Sequence, residues 1–485
     1  MKKLIGGLVI VLLVAGGFVG AMYWSGAQAE RWYQQALADS AKSPNVKLTT
    51  ERYERGLFSS HSLTRVQLVM PEGDLPKEMD PSFSIRQDIY HGPLPLAGQG
   101  VADVPMHWGG AVIRATLEPE SSAWTRALKK WYGDREPVVA ISKVGFDGTS
   151  DTQITMPPLT LSEVEALQSF NFSGLKGQIR VAPRGSAVQG DMTVASLEVV
   201  GKPTADQGAS APAPRLNLRD LTAAVNQRKG AFDLMLGDSN FKIGELRAQD
   251  PSAPVILTNL GMDATAALSP NNPQQVDVDV RFKTEKFTVD SWSGSGGVGL
   301  SFRQLDGATI GRLQEWQQNL AVKPDNPQAL DELLKLVKEL LRGRPEFVFD
   351  SQAKLAQGDW RGKLTLNFQD YGALDPAQDL GGLLHAVAKG LAEIKVSKSL
   401  AETVLTQLAQ SQLQAESGDT EALAGQQAMR TLAAQQVARQ LEGMTAAGFL
   451  RLEGNDYRTV ARFESGKLFV NDQEIPLGAT AGMGQ

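Results

Sequence analysis

Apolar and polar residues alternate with a period of two over much of this 485-residue chain. Segments with this pattern include HSLTRVQLV (61–69), SFSIRQDIY (82–90), QVDVDVRFKTEKFTV (275–289) and RGKLTLNF (361–368), each bounded by Gly, Pro, Asn or Asp. Because successive side chains of a strand point to opposite sides of a sheet, a strand with one buried side shows this alternation. The pattern predicts many half-buried antiparallel strands.

The segment QVDVDV shows the alternation most clearly. It places Val276, Val278 and Val280 on one side of a strand and Asp277 and Asp279 on the other. We expect the two aspartates to lie on a solvated face of the sheet. A ladder of calcium ligands is the alternative, although it would require a glycine-punctuated ligand loop nearby.

Helical patterns interrupt the strands in a few places. In NPQALDELLKLVKELLRGRP, Asn326 is suited to the N-cap, Gly343 to the C-terminal cap, and leucines line one side of the predicted helix. A shorter amphipathic helix is predicted over SSAWTRALKKWYG (121–133), where it covers the sheet or, alternatively, rests on a membrane surface. The Ala-, Leu- and Gln-rich region 377–443 predicts further helices, broken near GLAEIKVSKS (390–399) and again near ESGD (416–419), and a three-strand meander follows it. The fold class predicted is α+β, a large and mostly antiparallel twisted sheet system with packed helices.

The N-terminus carries an uncharged run from Leu4 to Trp24. At about 1.5 Å per residue this run spans roughly 30 Å as a helix, the thickness of a bilayer core. Lys2 and Lys3 favour a cytoplasmic N-terminus, and Tyr23 and Trp24 fall where interfacial aromatic residues are expected. We therefore predict one uncleaved transmembrane helix. A cleaved signal peptide is the alternative, because Ala27-Gln28-Ala29 resembles a signal peptidase site.

This interpretation gives a domain plan. Residues 1–26 form the anchor, and residues 27–42 continue it as a helical stalk within a β-rich periplasmic lobe, 27–200. A Gly-, Ala- and Pro-rich linker or exposed loop, 201–214, follows, and 215–485 form an α+β periplasmic lobe. The expected location is the bacterial inner membrane, with a single pass and the large C-terminal part in the periplasm.

Composition and motifs argue against several kinds of binding site and catalytic site. The formal charge is −6 with no long basic block, which argues against a nucleic-acid partner. The chain has no cysteine and only four histidines, His61, His91, His107 and His385, none of them in a zinc-binding spacing. GSGGVG (294–299) matches a dinucleotide-binding pattern without its strand and helix context, and we interpret it as a flexible loop. We predict no cofactor, no metal, no catalytic residue and no enzymatic activity.

Three segments carry a resemblance to a known family. They are YERGLFSSHSLTRVQL (53–68), DIYHGPLPL (88–96) and the closing FESGKLFVNDQEIPL (463–477). With the N-terminal apolar run and the strand-rich body, the whole chain resembles the YdgA-like family of uncharacterised bacterial envelope proteins. The resemblance implies an N-terminal membrane segment and a large periplasmic part, and it transfers no catalytic residue.

The first two of these segments can also be interpreted physically. Gly56 allows close backbone approach, and Gly92 followed by Pro93 allows a sharp turn, so both segments indicate the ends of strands. The candidate structural-motif residues are Arg55, Gly56, Phe58, Ser59, Ser60, His91, Gly92 and Pro93. The functional alternative is that Arg55, His61 and His91 converge on a ligand.

Three functions remain open at this point. The first is a non-enzymatic, membrane-anchored protein that binds or scaffolds an envelope component, with an envelope protein or a second copy of the chain as partner. The second is a lipid-handling protein with a concave sheet, and the third is an envelope hydrolase with dispersed carboxylates. We expect the leucine face of the 327–342 helix to cover at least part of any apolar strip on the sheet, which would argue against a resident lipid.

Overall fold

The computed structural model describes residues 20–35, 37–38, 46–68, 81–164, 167–203, 213–249, 254–322, 329–369, 386–417 and 423–476. The chain forms two compact units. The first comprises Met1–Ile243 and Gly311–Leu330, and the second comprises Gly244–Ile310 and Asp331–Gln485.

The first half of the chain contains two helices and most of the short strands. Helix α1 covers residues 20–35 and α2 covers Ala123–Tyr132. The strands are β1 (Val46–Arg55), β2 (Ser59–Leu68), β3 (Ser82–His91), β4 (Ala111–Leu117), β5 (Val139–Val144), β6 (Ser150–Met156), β7 (Leu159–Val164), β8 (Leu167–Phe172), β9 (Leu175–Val181), β10 (Ala187–Gly201), β11 (Arg215–Lys229) and β12 (Met235–Gln249).

The remaining elements include the longer helices. They are β13 (Val255–Ser269), β14 (Asn272–Val289), β15 (Trp292–Asp306), α3 (Gly307–Val322), α4 (Ala329–Arg342), β16 (Glu346–Leu355), β17 (Gly358–Phe368), β18 (Val387–Ser397), α5 (Lys398–Ser417), α6 (Leu423–Ala446), β19 (Arg451–Glu453), β20 (Asp456–Glu464), β21 (Lys467–Val470) and β22 (Gln473–Ile475). Sheets and helices in this arrangement confirm the predicted α+β class.

The sheet of the first unit begins as a meander. Strands β1 to β6 pair in sequence order, every pair antiparallel. Strand β6 then pairs with β9, β9 with β10, and β10 with both β8 and β11. Since successive strands of a meander run in opposite directions, the β1–β2, β3–β4 and β5–β6 connections all lie at one end of the sheet.

Helix α1 covers one face of this meander. Its buried residues Met22, Ser25 and Ala29 recur at helical spacing, and Ala29 packs with Ile89 and Val144. A helix with a buried stripe belongs to the core of its domain. The predicted stalk is therefore wrong in its residues 27–35, which pack on the sheet instead of projecting away from it.

The second unit contains a second run of antiparallel strands. Strands β13 to β18 pair in sequence order, β18 pairs with β20, and β20 pairs with β19 and β21, all antiparallel. Helices α5 and α6 pack at one end of this sheet, where Val437 and Leu441 bury Tyr457 with the nearby Val396. Helix α4 packs elsewhere, through Val337 and Leu341 on Phe368 and Ala386.

The predicted transmembrane helix is not supported by the described residues. No helix among them is both long and apolar enough to cross a membrane. Most of the predicted anchor, residues 1–19, lies outside the part of the chain that the structure describes. The described part of the run, residues 20–24, belongs to α1.

The interpretation of GSGGVG as a loop is wrong. The segment lies inside strand β15, because its glycines allow close backbone approach: a Cβ on Gly294 would lie 2.2 Å from the carbonyl oxygen of Lys354. Strand β18 lies at the first predicted break in the helical region, GLAEIKVSKS, and pairs there with β17 and β20.

The predicted linker 201–214 joins two neighbouring strands. Val200 of β10 pairs with Arg215 of β11, so the segment connects strands of the same unit. Residues 204–212 lie outside the described residues. One boundary between the two compact units lies after Ile243, and Gly311–Leu330 also belong to the first unit.

Candidate functional site

The motif residues meet where β1, β2 and β3 end. Gly56 N–H donates to the carbonyl oxygen of Ser59 (2.8 Å), which closes the β1–β2 turn. His91 N–H donates to the carbonyl oxygen of Phe58 (3.0 Å) and so ties the end of β3 to that turn. The structure therefore brings the two sequence motifs together, and their main chains form one hydrogen-bonded corner.

His91 lies at the centre of this corner and has no exposed surface. Its Nδ1 lies 3.2 Å from the carbonyl oxygen of Leu57, so Nδ1 must donate, because a carbonyl carries no proton. Its Nε2 lies 2.9 Å from the Ser60 hydroxyl and then accepts from it. Burial lowers the pKa of His91, and the bond to Leu57 opposes this only in part. The imidazole is neutral in this arrangement.

Two glycines let the surrounding backbone close around the ring. A Cβ at Gly26 of α1 would lie 2.6 Å from Cε1 of His91, so the helix approaches the ring only because position 26 has no side chain. A Cβ at Gly92 would lie 1.7 Å from the carbonyl oxygen of Gly109. The Gly92–Pro93 peptide bond is cis, and Gly92 N–H donates to the carbonyl oxygen of Gly110 (2.7 Å). Both glycines therefore allow contacts that any side chain would block.

Arg55, His61 and His91 do not converge on one point. Arg55 donates to a carboxylate oxygen of Glu30 (3.1 Å) and to the carbonyl oxygen of Tyr23 (3.1 Å), and its guanidinium lies 4.7 Å from the Tyr23 ring centroid. His61 lies on the opposite side of β2 from the buried Ser60, with its Nδ1 2.8 Å from Asp88. The predicted ligand site formed by these three residues is not assembled.

The Ser60–His91 contact has the geometry of a nucleophile beside its base. Both side chains are completely buried, however, and α1 covers the ring at Gly26. The group that orients the imidazole is the carbonyl oxygen of Leu57 and not a carboxylate. A substrate would have to displace α1 to reach Ser60, so the arrangement serves to hold α1, β2 and β3 together.

A second candidate site is the apolar face of the sheet in the second unit. Three rows of directly paired residues cross β13, β14, β15, β16, β17, β18 and β20. The first row is Met262, Phe282, Val298, Ser351, Gly362, Ile394 and Thr459. The second is Ala264, Val280, Leu300, Phe349, Leu364, Ala392 and Ala461. The third is Ala266, Val278, Phe302, Phe347, Leu366, Gly390 and Phe463. We call these three rows the open face.

Apart from Gly390, none of the residues of the open face is buried. Phe282 is 42% exposed, Phe302 39% and Val298 37%. Single exposed apolar residues are common on soluble proteins, but a contiguous apolar patch marks an interaction or ligand surface. Six strand spacings of about 4.8 Å make this face roughly 29 Å long across the strands.

Helices flank the open face at both ends of its strands. Val396 and Tyr457, one row before the first, pack against α5 and α6. Phe368, two residues beyond Leu366 in the third row, packs against α4. The leucine face of α4, which was predicted to cover at least part of any apolar strip on the sheet, thus contacts the sheet at Phe368, beyond the three rows of the open face.

The opposite side of the same sheet is polar. Arg303 contacts both aspartates of the QVDVDV segment, with its nitrogens 3.7 Å from Asp277 and 2.6 Å from Asp279. Ser301 donates a further hydrogen bond to Asp279 (2.6 Å). Among the residues that the structure describes, no group of three or more His, Asp or Glu side chains could hold a metal ion.

The sequence showed the strands of the open face but not their exposure. Each strand alternates apolar and polar residues, which predicts one apolar face of a sheet. Whether a helix covers that face depends on contacts between segments distant in the chain, and a single sequence does not show them. The alternation in all seven strands of the open face was the available signal.

Comparison with known proteins gives a family and one curated relative. The model of a family described as "Bacterial protein of unknown function (DUF945)" matches residues 1–478. Protein YdgA of Escherichia coli (strain K12) is 20% identical over 512 aligned positions, which cover 100% of this chain and 97% of that protein. No solved structure matches the chain.

Proposed function

Since this chain belongs to the DUF945 family of bacterial proteins of unknown function, we propose a function from its geometry: it holds the acyl chains of lipid on the open face. In this proposal the protein is anchored in the bacterial inner membrane by its N-terminal apolar run, with both units in the periplasm. It carries out no catalytic step.

The observation that carries the proposal is the partial exposure of three contiguous rows of mostly apolar residues. Burying apolar surface stabilises a protein by about 25 cal/mol per Å². A sheet that leaves Phe282, Phe302 and Val298 more than a third exposed does not gain much of this stabilisation when it folds alone. A ligand with a long apolar chain and no need for hydrogen bonds would complete the burial, and acyl chains have this chemistry.

The shape of the open face also favours an extended ligand. It crosses seven strands, and at both ends of the β17–β18 pair apolar side chains pack on helices instead of staying open. At its centre, Phe302 and Phe347 lie with ring centroids 5.1 Å apart. The face is thus an apolar strip bordered by helices, which matches the form of an acyl chain better than that of a compact polar substrate.

Photo-crosslinking from the intact chain in cells tests the proposal. A benzophenone amino acid replaces Phe302 on the open face and, as a matched control, Lys363, which is exposed on the polar face of β17, two strands away. After irradiation and purification, mass spectrometry identifies what is attached to each position. We expect phospholipid adducts at position 302 and little at position 363.

Other adducts would change the conclusion. Protein adducts at position 302 without lipid would support the alternative, a binding or scaffolding role for an envelope protein. Equal lipid labelling at positions 302 and 363 would mean contact with bulk membrane and would contradict a specific lipid strip. A double variant, Phe282→Asp and Phe302→Asp, should abolish co-purifying lipid while circular dichroism shows a folded chain.

A further inference from the structure

Eight large apolar side chains project into solvent around one end of the first unit. Trp108 is 67% exposed, Tyr23 61% and Met106 53%. The complete set is Tyr23, Trp24, Leu57, Phe58, Leu96, Met106, Trp108 and Phe146. We call these residues the apolar collar. Aromatic side chains make up five of the eight, although aromatic residues are only 7% of the chain.

The collar is at one end of the sheet because of the topology. Leu57 lies in the β1–β2 turn, Trp108 in the β3–β4 connection and Phe146 in the β5–β6 turn, and these three connections share an end of the meander. Trp108 and Phe146 are in edge-to-face contact, with ring centroids 5.8 Å apart. Residues far apart in sequence therefore form one surface.

The main chain under the collar is firmly held. Gly110 N–H donates to the carbonyl oxygen of Val144 (2.8 Å), and Gly109 N–H donates to that of Pro93 (3.1 Å). Trp32 of α1 packs over Gly110, where a Cβ would lie 2.9 Å from its ring. The exposed aromatic residues thus project from a fixed base, which reduces the conformational entropy lost on binding a surface.

Helix α1 enters the first unit at the same end. Tyr23, early in the helix, contacts Arg55 at the β1–β2 turn. Tyr33, ten residues later, has its hydroxyl 2.9 Å from that of Thr64, well along β2 from the turn. The described part of α1 therefore begins at the collar, and the apolar residues 4–19 precede it in the sequence.

We propose that the apolar collar docks into the headgroup layer of the bilayer that the N-terminal run enters. Tyr and Trp favour the membrane interface, because their rings are apolar and carry one polar group. The collar has no basic cluster, and Arg55 beside it is paired with Glu30. Apolar insertion and not charge therefore drives the docking, which makes it insensitive to salt. The inference rests on the anchoring part of the proposed function and not on the open face.

Fluorescent labels on the full chain test the collar. Because the chain has no cysteine, single substitutions Leu57→Cys, Trp108→Cys and Phe146→Cys each give one site for an environment-sensitive nitrobenzoxadiazole label. The matched control is Glu120→Cys, at an exposed position after β4 at the opposite end of the meander. Each labelled chain is reconstituted into nanodiscs of phosphatidylethanolamine and phosphatidylglycerol that contain lipids spin-labelled in the headgroup region.

We expect blue-shifted emission and strong quenching at positions 57, 108 and 146, unchanged by added salt, and water-like emission at position 120. Equal, water-like emission at all four positions would overturn the proposal. Carbonate extraction of the unlabelled chain from cells distinguishes membrane anchoring by the N-terminal run from docking of the apolar collar. If the chain stays in the membrane but its collar labels are not quenched, only the docking proposal is wrong. If the chain is extracted but its collar labels are quenched on added vesicles, only the anchoring proposal is wrong.

Discussion

Two sheet faces of this protein differ in what lies over them. In the first unit, α1 covers a face whose buried residues include Ser60, Ser62 and Thr64, while in the second unit a face rich in Phe, Val and Leu is left open. The covered face is the more polar of the two. The more apolar face of the two is therefore not the one that a helix covers. The open face has the residue composition of a protein core, but its side chains are partly exposed.

The difference has a physical reason. Small hydroxyl side chains let a helix approach a sheet closely, and they find hydrogen-bond partners in it, as Ser60 does with His91 and Thr64 does with Tyr33. Such an arrangement is specific and fixed. Large apolar side chains without a fixed partner can accept different apolar ligands, which is what a lipid-handling surface requires.

The largest expected effect comes from Gly92, at the edge of the covered face. The Gly92→Val variant should fail to fold or should lose more than about 4 kcal/mol, because its Cβ would overlap the carbonyl oxygen of Gly109 at 1.7 Å. Folded yield and urea unfolding measure this. Gly443→Ala is the control, since a Cβ there meets no atom within 4 Å, and it should be neutral or slightly stabilising in helix α6.

The next prediction tests the comparison directly. Ile89→Ala, at a residue 2% exposed under α1, should destabilise the protein by about 2–5 kcal/mol, whereas Phe302→Ala on the open face should cost only about 1 kcal/mol. Urea unfolding of the full chain, monitored in each unit by hydrogen exchange, gives both losses of stability. A loss at Phe302 as large as that at Ile89 would show that the open face is covered in the folded protein.

Gly26→Ala should have an intermediate effect. The added methyl group would lie 2.6 Å from the His91 ring, so α1 must shift, at a cost of about 1–3 kcal/mol. Hydrogen exchange in β2 and β3 should rise with it. Gln34→Ala, on the exposed side of the same helix, is the control and should leave exchange unchanged. Unchanged exchange in Gly26→Ala would mean that α1 does not hold this face.

The smallest expected effect is the contribution of His91 to the pH dependence of stability. Burial lowers the pKa of His91 below its ordinary value near 6.5. At higher pH both folded and unfolded chains carry a neutral His91, and its contribution to stability is fully present. As pH falls below about 6.5 the unfolded chain takes up a proton first, so stability declines by up to about 1.4 kcal/mol per pH unit until the folded pKa is reached.

Paired variants isolate this contribution. Urea unfolding between neutral and mildly acidic pH should show a smaller decline in His91→Gln than in the wild type. His61→Gln, which removes an exposed imidazole on the other side of β2, should retain the full decline. An identical slope in all three chains would assign the pH dependence to other groups.

The sequence determined much of the local structure, but it determined little about which sheet faces the helices cover. The period-two alternation correctly predicted β2, β3, β14 and β17 and the α+β class, because alternation is a property of each strand alone. The left-handed turn at Asn471-Asp472 was also predictable, since both residue types tolerate positive φ, and both adopt it.

Only the tertiary structure decided which side of each strand is buried. In HSLTRVQLV, Ser62 and Thr64 lie on one side of the strand and the apolar Leu63 lies on the other. The two hydroxyl residues are nevertheless buried, and Leu63 is only half-buried. Helix α1 selects that side through Gly26 and His91, contacts that join residues 65 positions apart in the chain. Likewise α4 packs at Phe368 and leaves the rows around Phe302 open. Alternation specifies that a strand has two different sides, but the element that packs there determines which side becomes core and which stays exposed.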